Sequence, residues 1–469
     1  AREESRAGAV WRERSTMERE KERERARDGR RHDARMSVAS NSSRRLDAGD
    51  CRSAEHGFIE FVSDSGMLYA DCEPFLFKGI NWFGSEDTNR VVQGLHNHPI
   101  DFYMDFLARN HFNAIRLLFS HSAVRDDEVL PEGSFDAALN PALRGKRYLE
   151  SLLEFARAAA PHGLLVLVAA HRLSPDAWPG DGLWYDDEIS EDQVKQDWAK
   201  LARTLCGQWN VVGVDLQNEP HQATWGTGNI HTDWNRAASR LGDHVLDHCP
   251  RWLVFVEGIF EGAPGEYDNG AGGYWWGENF VGVKTAPVRL QNQKRLILSP
   301  HTYGPSTYMQ GYFEDRRFPS NMPDIWRSHF LFARDLSGAA LVIGEIGGNY
   351  EDEDKVWQEE AIRFFAHERV GLFYFCLNPT SEDTGGILAN DWTTPVAGKL
   401  ELLSRLPRTD VGHLRAQSLT YSPPPSPPPS PLPTPPPSAP LPPPPNPPQE
   451  PPMPPPMAPP PVLPPSPPP

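Results

Sequence analysis

The feature that most constrains this chain is a repeated alternation of short apolar runs with helical patterns. Eight runs rich in Val, Ile, Leu and Phe read as strands: Phe77–Phe83, Asn113–Phe119, Leu164–His171, Val211–Asn218, Trp252–Gly258, Leu296–Tyr303, Leu341–Gly347 and Leu372–Leu377. Runs this short and this continuously apolar suit parallel strands buried on both faces. Between them lie stretches of helical period, such as Tyr148–Ala160, Asp192–Leu205 and Asp233–Leu246. Strand–helix alternation implies right-handed crossovers and a parallel sheet, and a count near eight suits a closed (β/α)8 barrel. An open doubly wound sheet is the alternative, but no Gly-rich phosphate loop follows the first run. Ahead of the barrel, Phe58-Ile-Glu-Phe-Val and Met67-Leu-Tyr flank Asp64-Ser-Gly66, a hairpin pattern.

The ends of the chain have other compositions. Residues 1–54 are dominated by mixed charge, as in Glu18-Arg-Glu-Lys-Glu-Arg-Glu-Arg. Such a segment buries too little apolar surface to offset its ordering entropy and reads as disordered, with a solvated helix held by Glu–Arg pairs as the alternative. Residues 411–469 hold most of the 49 prolines, in Ser-Pro-Pro-Pro repeats that form polyproline II and pack no core. Residues 55–410 are left for the barrel, a normal length for that fold.

Several function classes drop out. The formal net charge of -17 argues against nucleic acid, since the N-terminal basic residues are interleaved with acids. No apolar run is long enough to span a membrane, and no secretory leader pattern is visible in a chain that begins at Ala1. The five cysteines lack CxxC or Cys/His zinc spacing, and no metal or cofactor is expected. Cys51–Cys72 and Cys206–Cys249 pair if the protein is secreted, leaving Cys376 buried; five free thiols are the other reading.

Polar residues gather at the carboxyl ends of the strand runs, where (β/α) barrels keep their chemistry. Arg116 lies in the second run, His171 ends the third, and Asn218 and Glu219 end the fourth. Glu257 ends the fifth, His301 and Tyr303 the sixth, and Glu345 the seventh. Two glutamates on separate strands are what glycosidic-bond cleavage requires: one protonates the leaving oxygen, while the other attacks or activates water. Tryptophans crowd the following loops (Trp82, Trp178, Trp184, Trp225, Trp275, Trp276 and Trp392). About half read as core fillers, and the rest as flat platforms for sugar rings.

The ordered motifs Lys78-Gly-Ile-Asn-Trp-Phe-Gly84, Asp215-Leu-Gln-Asn-Glu-Pro-His221, Val256-Glu-Gly258, Trp275-Trp-Gly277, Ser299-Pro-His-Thr-Tyr-Gly-Pro305 and Gly344-Glu-Ile-Gly-Gly348 resemble glycoside hydrolase family 5, most of all its cellulase-type subfamily 1. The resemblance implies Glu219 as general acid/base and Glu345 as nucleophile. It implies that Asn218 bonds the sugar 2-hydroxyl and that Arg116, His171, His301 and Tyr303 orient and tune the two glutamates. Trp225 and Trp276 are expected to bind substrate. Two departures stand out: Phe373-Tyr-Phe375 where the family usually has Phe-Tyr-Trp, and Gly94-Leu-His96 where a Trp usually follows Gly-Leu. Phe375 therefore forms a smaller floor for the reacting sugar.

The expectation is a retaining endohydrolase of β-1,4-glucan, monomeric and secreted or wall-associated through its Pro-rich tail. A β-mannanase or mixed-linkage glucanase is the runner-up, and a non-catalytic glycan-binding wall glycoprotein is the rival of another class. The tail reads equally as a linker to a carbohydrate-binding module.

Overall fold

The computed structural model describes residues 55–177, 180, 182–266 and 273–420. The charged N-terminal segment, the Ser-Pro-Pro-Pro tail, Cys51 and Trp178 lie outside the described residues. A small antiparallel sheet comes first: β1 (Phe61–Asp64), β2 (Met67–Ala70) and β3 (Glu73–Pro74), with Phe61 opposite Ala70. The expected hairpin is therefore present.

The barrel strands are β4 (Lys78–Trp82), β5 (Ala114–Ser120), β6 (Leu165–Arg172), β7 (Val211–Asp215), β8 (Leu253–Val256), β9 (Leu296–Leu298) with β10 (His301–Tyr303), β11 (Ala340–Gly347) and β12 (Gly371–Phe375). All pair in parallel with their neighbours, and β11 pairs with β9 to close the ring. The sixth strand is broken into β9 and β10 at Ser299-Pro300, where proline has no N–H for the ladder. Helices follow most strands, among them Ile100–Arg109, Tyr148–Ala159, Glu191–Leu205, Trp234–His248 and Asp352–His367.

Alternation assigns each strand residue to the barrel lumen or to the helix layer. In β5, Ala114 belongs to the lumen core, while Ile115 and Leu117 pack under the helices, so Arg116 points inward. Three register shifts interrupt the barrel pairing, and two of them aim site residues. In β11 the pairing with β12 slips between Ile343 and Ile346. Leu341, Ile343 and Ile346 all lie in the helix-side core, and the extra residue turns Glu345 into the lumen. In β7 the pairing with β6 slips by one residue after Val211, and it aims Asp215 inward in the same way.

The lower end of the lumen is apolar. Phe77 packs against Phe75, Phe373 and Phe255, with ring centroids 4.8, 5.3 and 6.1 Å away. The hairpin covers this floor, fixed by the Arg295–Glu60 ion pair at 2.5 Å. The folded unit also continues past 410, the boundary expected from composition. A helix spans Val411–Thr420, and its Val411 and Leu414 are buried in the floor cluster. Two apolar residues one helical turn apart suffice to dock it. Cys206 and Cys249 form a disulfide, Cys72 is also disulfide-bonded, and Cys376 is a buried free thiol.

Candidate active site

At the upper end of the lumen the side chains become charged around Arg116, which is fully buried. Its Nε donates to Asp215 (3.0 Å), and Nη1 donates to Asn81 (3.0 Å) and Glu345 (2.5 Å). Nη2 donates to Asn218 (3.0 Å) and Glu257 (3.2 Å). An unpartnered buried guanidinium would be prohibitively costly, and these acceptors use all three of its nitrogens. Asn81 sits opposite Arg116 in the ladder, and its amide nitrogen donates to the Gly344 carbonyl (3.1 Å), which fixes the backbone beside Glu345.

Glu345 receives two strong donors. Arg116 binds Oε1, and the Tyr303 hydroxyl donates to Oε2. Both hold the carboxylate in a fixed orientation at the barrel mouth. The phenol is shielded from solvent beside this carboxylate, so its own ionisation is pushed well above the ordinary range. His171 lies 3.9 Å from Glu345 and 3.9 Å from Glu86, and burial beside Arg116 holds it well below the usual imidazole range. It is a neutral neighbour of the carboxylate.

Glu219 stands in different surroundings. It is four residues beyond the end of β7, on a turn rather than on the strand end expected from sequence, with φ of 45°. A residue with a Cβ pays about 1–2 kcal/mol for this left-handed conformation, so neighbours must hold it. The Glu257 carboxylate accepts its backbone N–H at 2.8 Å. The side chain faces His301 Nδ1 at 3.1 Å, and burial, reinforced by the charge of Glu345, raises its pKa to about 7. His301 fits here because Gly344 lacks a Cβ; an added one would come within 2.7 Å of the imidazole Nε2.

One oxygen of Glu219 and one of Glu345 lie within 4.8 Å of each other and of His301. The sets Asp215/Glu257/His301 and Glu219/His301/Glu345 are compact enough to hold a cation, and Arg116 already supplies positive charge to both through Asp215, Glu257 and Glu345.

Above the two glutamates opens a cleft of about 940 Å³, within the range of ligand sites. Phe375 forms part of its lining, stacked parallel to Phe83 at 6.0 Å and edge-on to Tyr303 at 6.4 Å. Trp276 lies flat on His221 at 3.9 Å, and Trp275 and Tyr308 meet edge to face. Of the ten residues singled out from sequence, nine gather here. Trp225 does not: it is fully buried, with its Nε1 bonded to the Ala286 carbonyl, and it fills the core. Trp82 and Trp184 are likewise buried. Asn81 and Asp215 escaped the sequence reading, although each is a polar residue inside an apolar strand run, the same signal that found Arg116. Glu86, buried at the cleft wall, sits in a loop with no periodicity to mark it.

Residues 68–381 match the family model described as cellulase, glycosyl hydrolase family 5. An endoglucanase of Paenibacillus polymyxa is 36% identical over 355 residues, covering 74% of this chain and 85% of the relative. The major extracellular endoglucanase of Xanthomonas campestris is 37% identical, covering 74% and 69% respectively. Among solved structures, a cellotetraose complex of an endocellulase from Pyrococcus horikoshii superposes with a TM-score of 0.69 at 36% identity, covering 74% of this chain and 98% of that one.

Proposed function

Because the chain belongs to glycosyl hydrolase family 5, the cellulase family, and is an endoglucanase, we propose that it cleaves β-1,4-glucan by double displacement with retention. In this reading Glu345 is the nucleophile and Glu219 the general acid/base. The observation that carries it is the pairing of two carboxyl groups in opposite surroundings, with oxygens within 4.8 Å. Retaining enzymes hold the two groups about 5–5.5 Å apart, whereas inverting enzymes leave about 6.5–9.5 Å for a water. Arg116 and Tyr303 orient Glu345 for attack, while burial keeps Glu219 protonated near neutrality, so that it donates to the leaving oxygen and then takes a proton from water. In the same reading Asn218, held by Arg116, bonds the 2-hydroxyl of the reacting sugar.

A second reading within the same chemistry is a mannanase or mixed-linkage glucanase, favoured by the reduced floor at Phe375. Initial rates on carboxymethylcellulose and on mannan separate the two. The disulfide Cys206–Cys249 suits an oxidising compartment, and the Xanthomonas relative is named as extracellular, so we read this enzyme as secreted. No helix among the described residues is long and apolar enough to cross a membrane. A proton NMR time course tests the mechanism: the β-anomer of the new reducing end appears first, and α-anomer first would overturn it.

A further inference from the structure

The cleft wall that carries Trp275 and Trp276 is anchored from behind by Glu278 and His329, two side chains that line no part of the cleft. Residues 275–278 form a tight turn in the loop after β8, closed by the Glu278 N–H donating to the Trp275 carbonyl at 3.1 Å. One edge of this turn is tied to the barrel: the Gly258 N–H donates to the Gly277 carbonyl at 2.8 Å, and Ile259 pairs with Asn279. Gly277 suits the position, since its φ is 78° and a Cβ would stand 2.6 Å from a Glu257 oxygen. The other edge rests on an irregular helix. Between the helical segments Met322–Trp326 and Phe332–Ser337, residues Arg327–Leu331 make a π-turn, a local widening that often marks a functional position. His329 sits in that turn and grips the loop twice. Its carbonyl accepts the Phe280 N–H at 3.1 Å. Its ring Nδ1 hydrogen-bonds Glu278 Oε2 at 2.9 Å, and the same oxygen accepts the Trp275 backbone N–H at 3.0 Å. Tyr274 packs on the imidazole, with ring centroids 4.3 Å apart.

Stability alone gives little reason for this pair. Glu278 and His329 are fully buried, and Glu278 Oε1 and His329 Nε2 have no hydrogen-bond partner among the described residues. Buried polar atoms left unpaired cost stability, and well-packed apolar residues of similar volume often serve a core at least as well as a buried polar pair. The pair does fix geometry, and the surface it fixes faces the chemistry. Trp276 lies flat on His221 at 3.9 Å, and His221 Nδ1 lies 3.0 Å from the Glu219 carbonyl. The indole therefore stands beside Glu219, which as general acid faces the leaving group.

We propose that Glu278 and His329 are positioning residues that hold the Trp275–Trp276 turn where Trp276 stacks on the sugar unit of the leaving group, and so set how tightly the enzyme grips a glucan chain on that side. Neither residue touches substrate. Glu278 acts through the Trp275 backbone it binds, and His329 acts through Glu278 and Phe280. The inference rests on the reading of the cleft as the glucan site with Glu219 as its acid.

The experiment compares the full chain with Glu278→Ala and His329→Leu on a β-1,4-glucan pentasaccharide and on an aryl cellobioside, whose leaving group carries no sugar. Each variant should raise KM for the pentasaccharide roughly tenfold, the size of one lost aromatic contact, and change kcat/KM on the aryl cellobioside by less than about twofold. Glu278→Gln keeps an oxygen for both donors and should restore the wild-type KM. That pattern supports the proposal whatever happens to the melting temperature. A lowered melting temperature with KM of the folded enzyme unchanged, or equal losses on the two substrates, overturns it. If one variant fails to fold, the other decides; failure of both makes the pair part of the scaffold and overturns the proposal. A double-mutant cycle tests action through the indole. In a Trp276→Ala background, Glu278→Ala should add less than about twofold, and fully additive losses overturn the proposal. An effect of Trp276→Ala with none from Glu278→Ala or His329→Leu would overturn this proposal alone. If Trp276→Ala itself left KM unchanged, the wall would bind no sugar, and the reading of the cleft would fall with the proposal.

Discussion

The two ends of one barrel lumen differ completely in chemistry although the same strands build both. At the lower end Phe77, Phe255, Phe373 and their aliphatic neighbours form a dry floor, closed by the hairpin and the last helix. At the upper end Arg116, Asp215, Glu257, His301 and Glu345 are as deeply buried as those phenylalanines, yet every one is polar. The lower end gains stability from removing apolar surface from water, at little cost. The upper end has no such gain: its ions are tolerable only because each finds partners, and breaking one partnership leaves a buried charge. Stability and catalysis are thus segregated along the strand direction, and substitutions at the two ends should separate them.

The largest effect belongs to the upper end. Glu345→Gln should lower turnover on the order of 10⁴-fold or more while leaving the melting transition near that of the wild type. A large fall in melting temperature would mean that the charged layer also carries the fold. Phe77→Ala should do the converse, costing about 3–5 kcal/mol in denaturant unfolding with kcat/KM per folded molecule unchanged. An altered kcat/KM there would break the segregation.

Removal of everything after residue 410 should cost about 3 kcal/mol, because it strips Val411 and Leu414 from the floor. Removal after residue 420 should cost nothing measurable, since the helix is retained. Equal melting temperatures for the two truncations would show that the last helix is dispensable.

pH should act on the ends unequally. Glu219 rises from its ordinary 4.5 to about 7 on folding, and Asp215 from 3.8 to about 8. For groups raised in this way the folded state binds more protons than the unfolded chain. Their contribution to stability is complete below the unfolded values and is lost as pH rises through about 7 to 8. Denaturant titrations should therefore find the protein more stable at pH 5 than at pH 8, and the wild-type basic limb of kcat/KM should fall near 7. Asp215→Asn should flatten the stability difference, whereas Phe77→Ala should leave its pH dependence as it was.

The smallest effect sits in the cleft itself. Phe375→Trp adds stacking area facing open volume, and should raise kcat/KM on soluble glucan by about 1 kcal/mol. A fall at unchanged melting temperature would mean that the site is shaped around phenylalanine and a different sugar.

The period of the apolar runs, by itself, determined the barrel, its eight strand positions and most of the polar residues at its mouth. Hydrophobic patterning is local, and an unbroken apolar run between helical stretches leaves a strand few places to go. Arg116 and His171 stood out as polar residues in apolar strand runs, and Phe375 as a departure from the family motif it resembles. Tertiary structure decided the rest. Nothing in Leu341-Val-Ile-Gly-Glu-Ile announces the bulge that turns Glu345 from the helix layer into the lumen, because a bulge is a property of the pair of strands. Glu219 lies on a turn whose left-handed backbone is held by Glu257, 38 residues away in the chain. Trp225 and Trp276 look alike in sequence, each in a loop after a strand, yet one fills the core and the other lies on the cleft wall. The last helix reads as the start of a polar tail until Val411 and Leu414 meet the floor they cover. In each case the deciding contact joins segments far apart in the chain, and local pattern carries no record of which distant surface a side chain will meet.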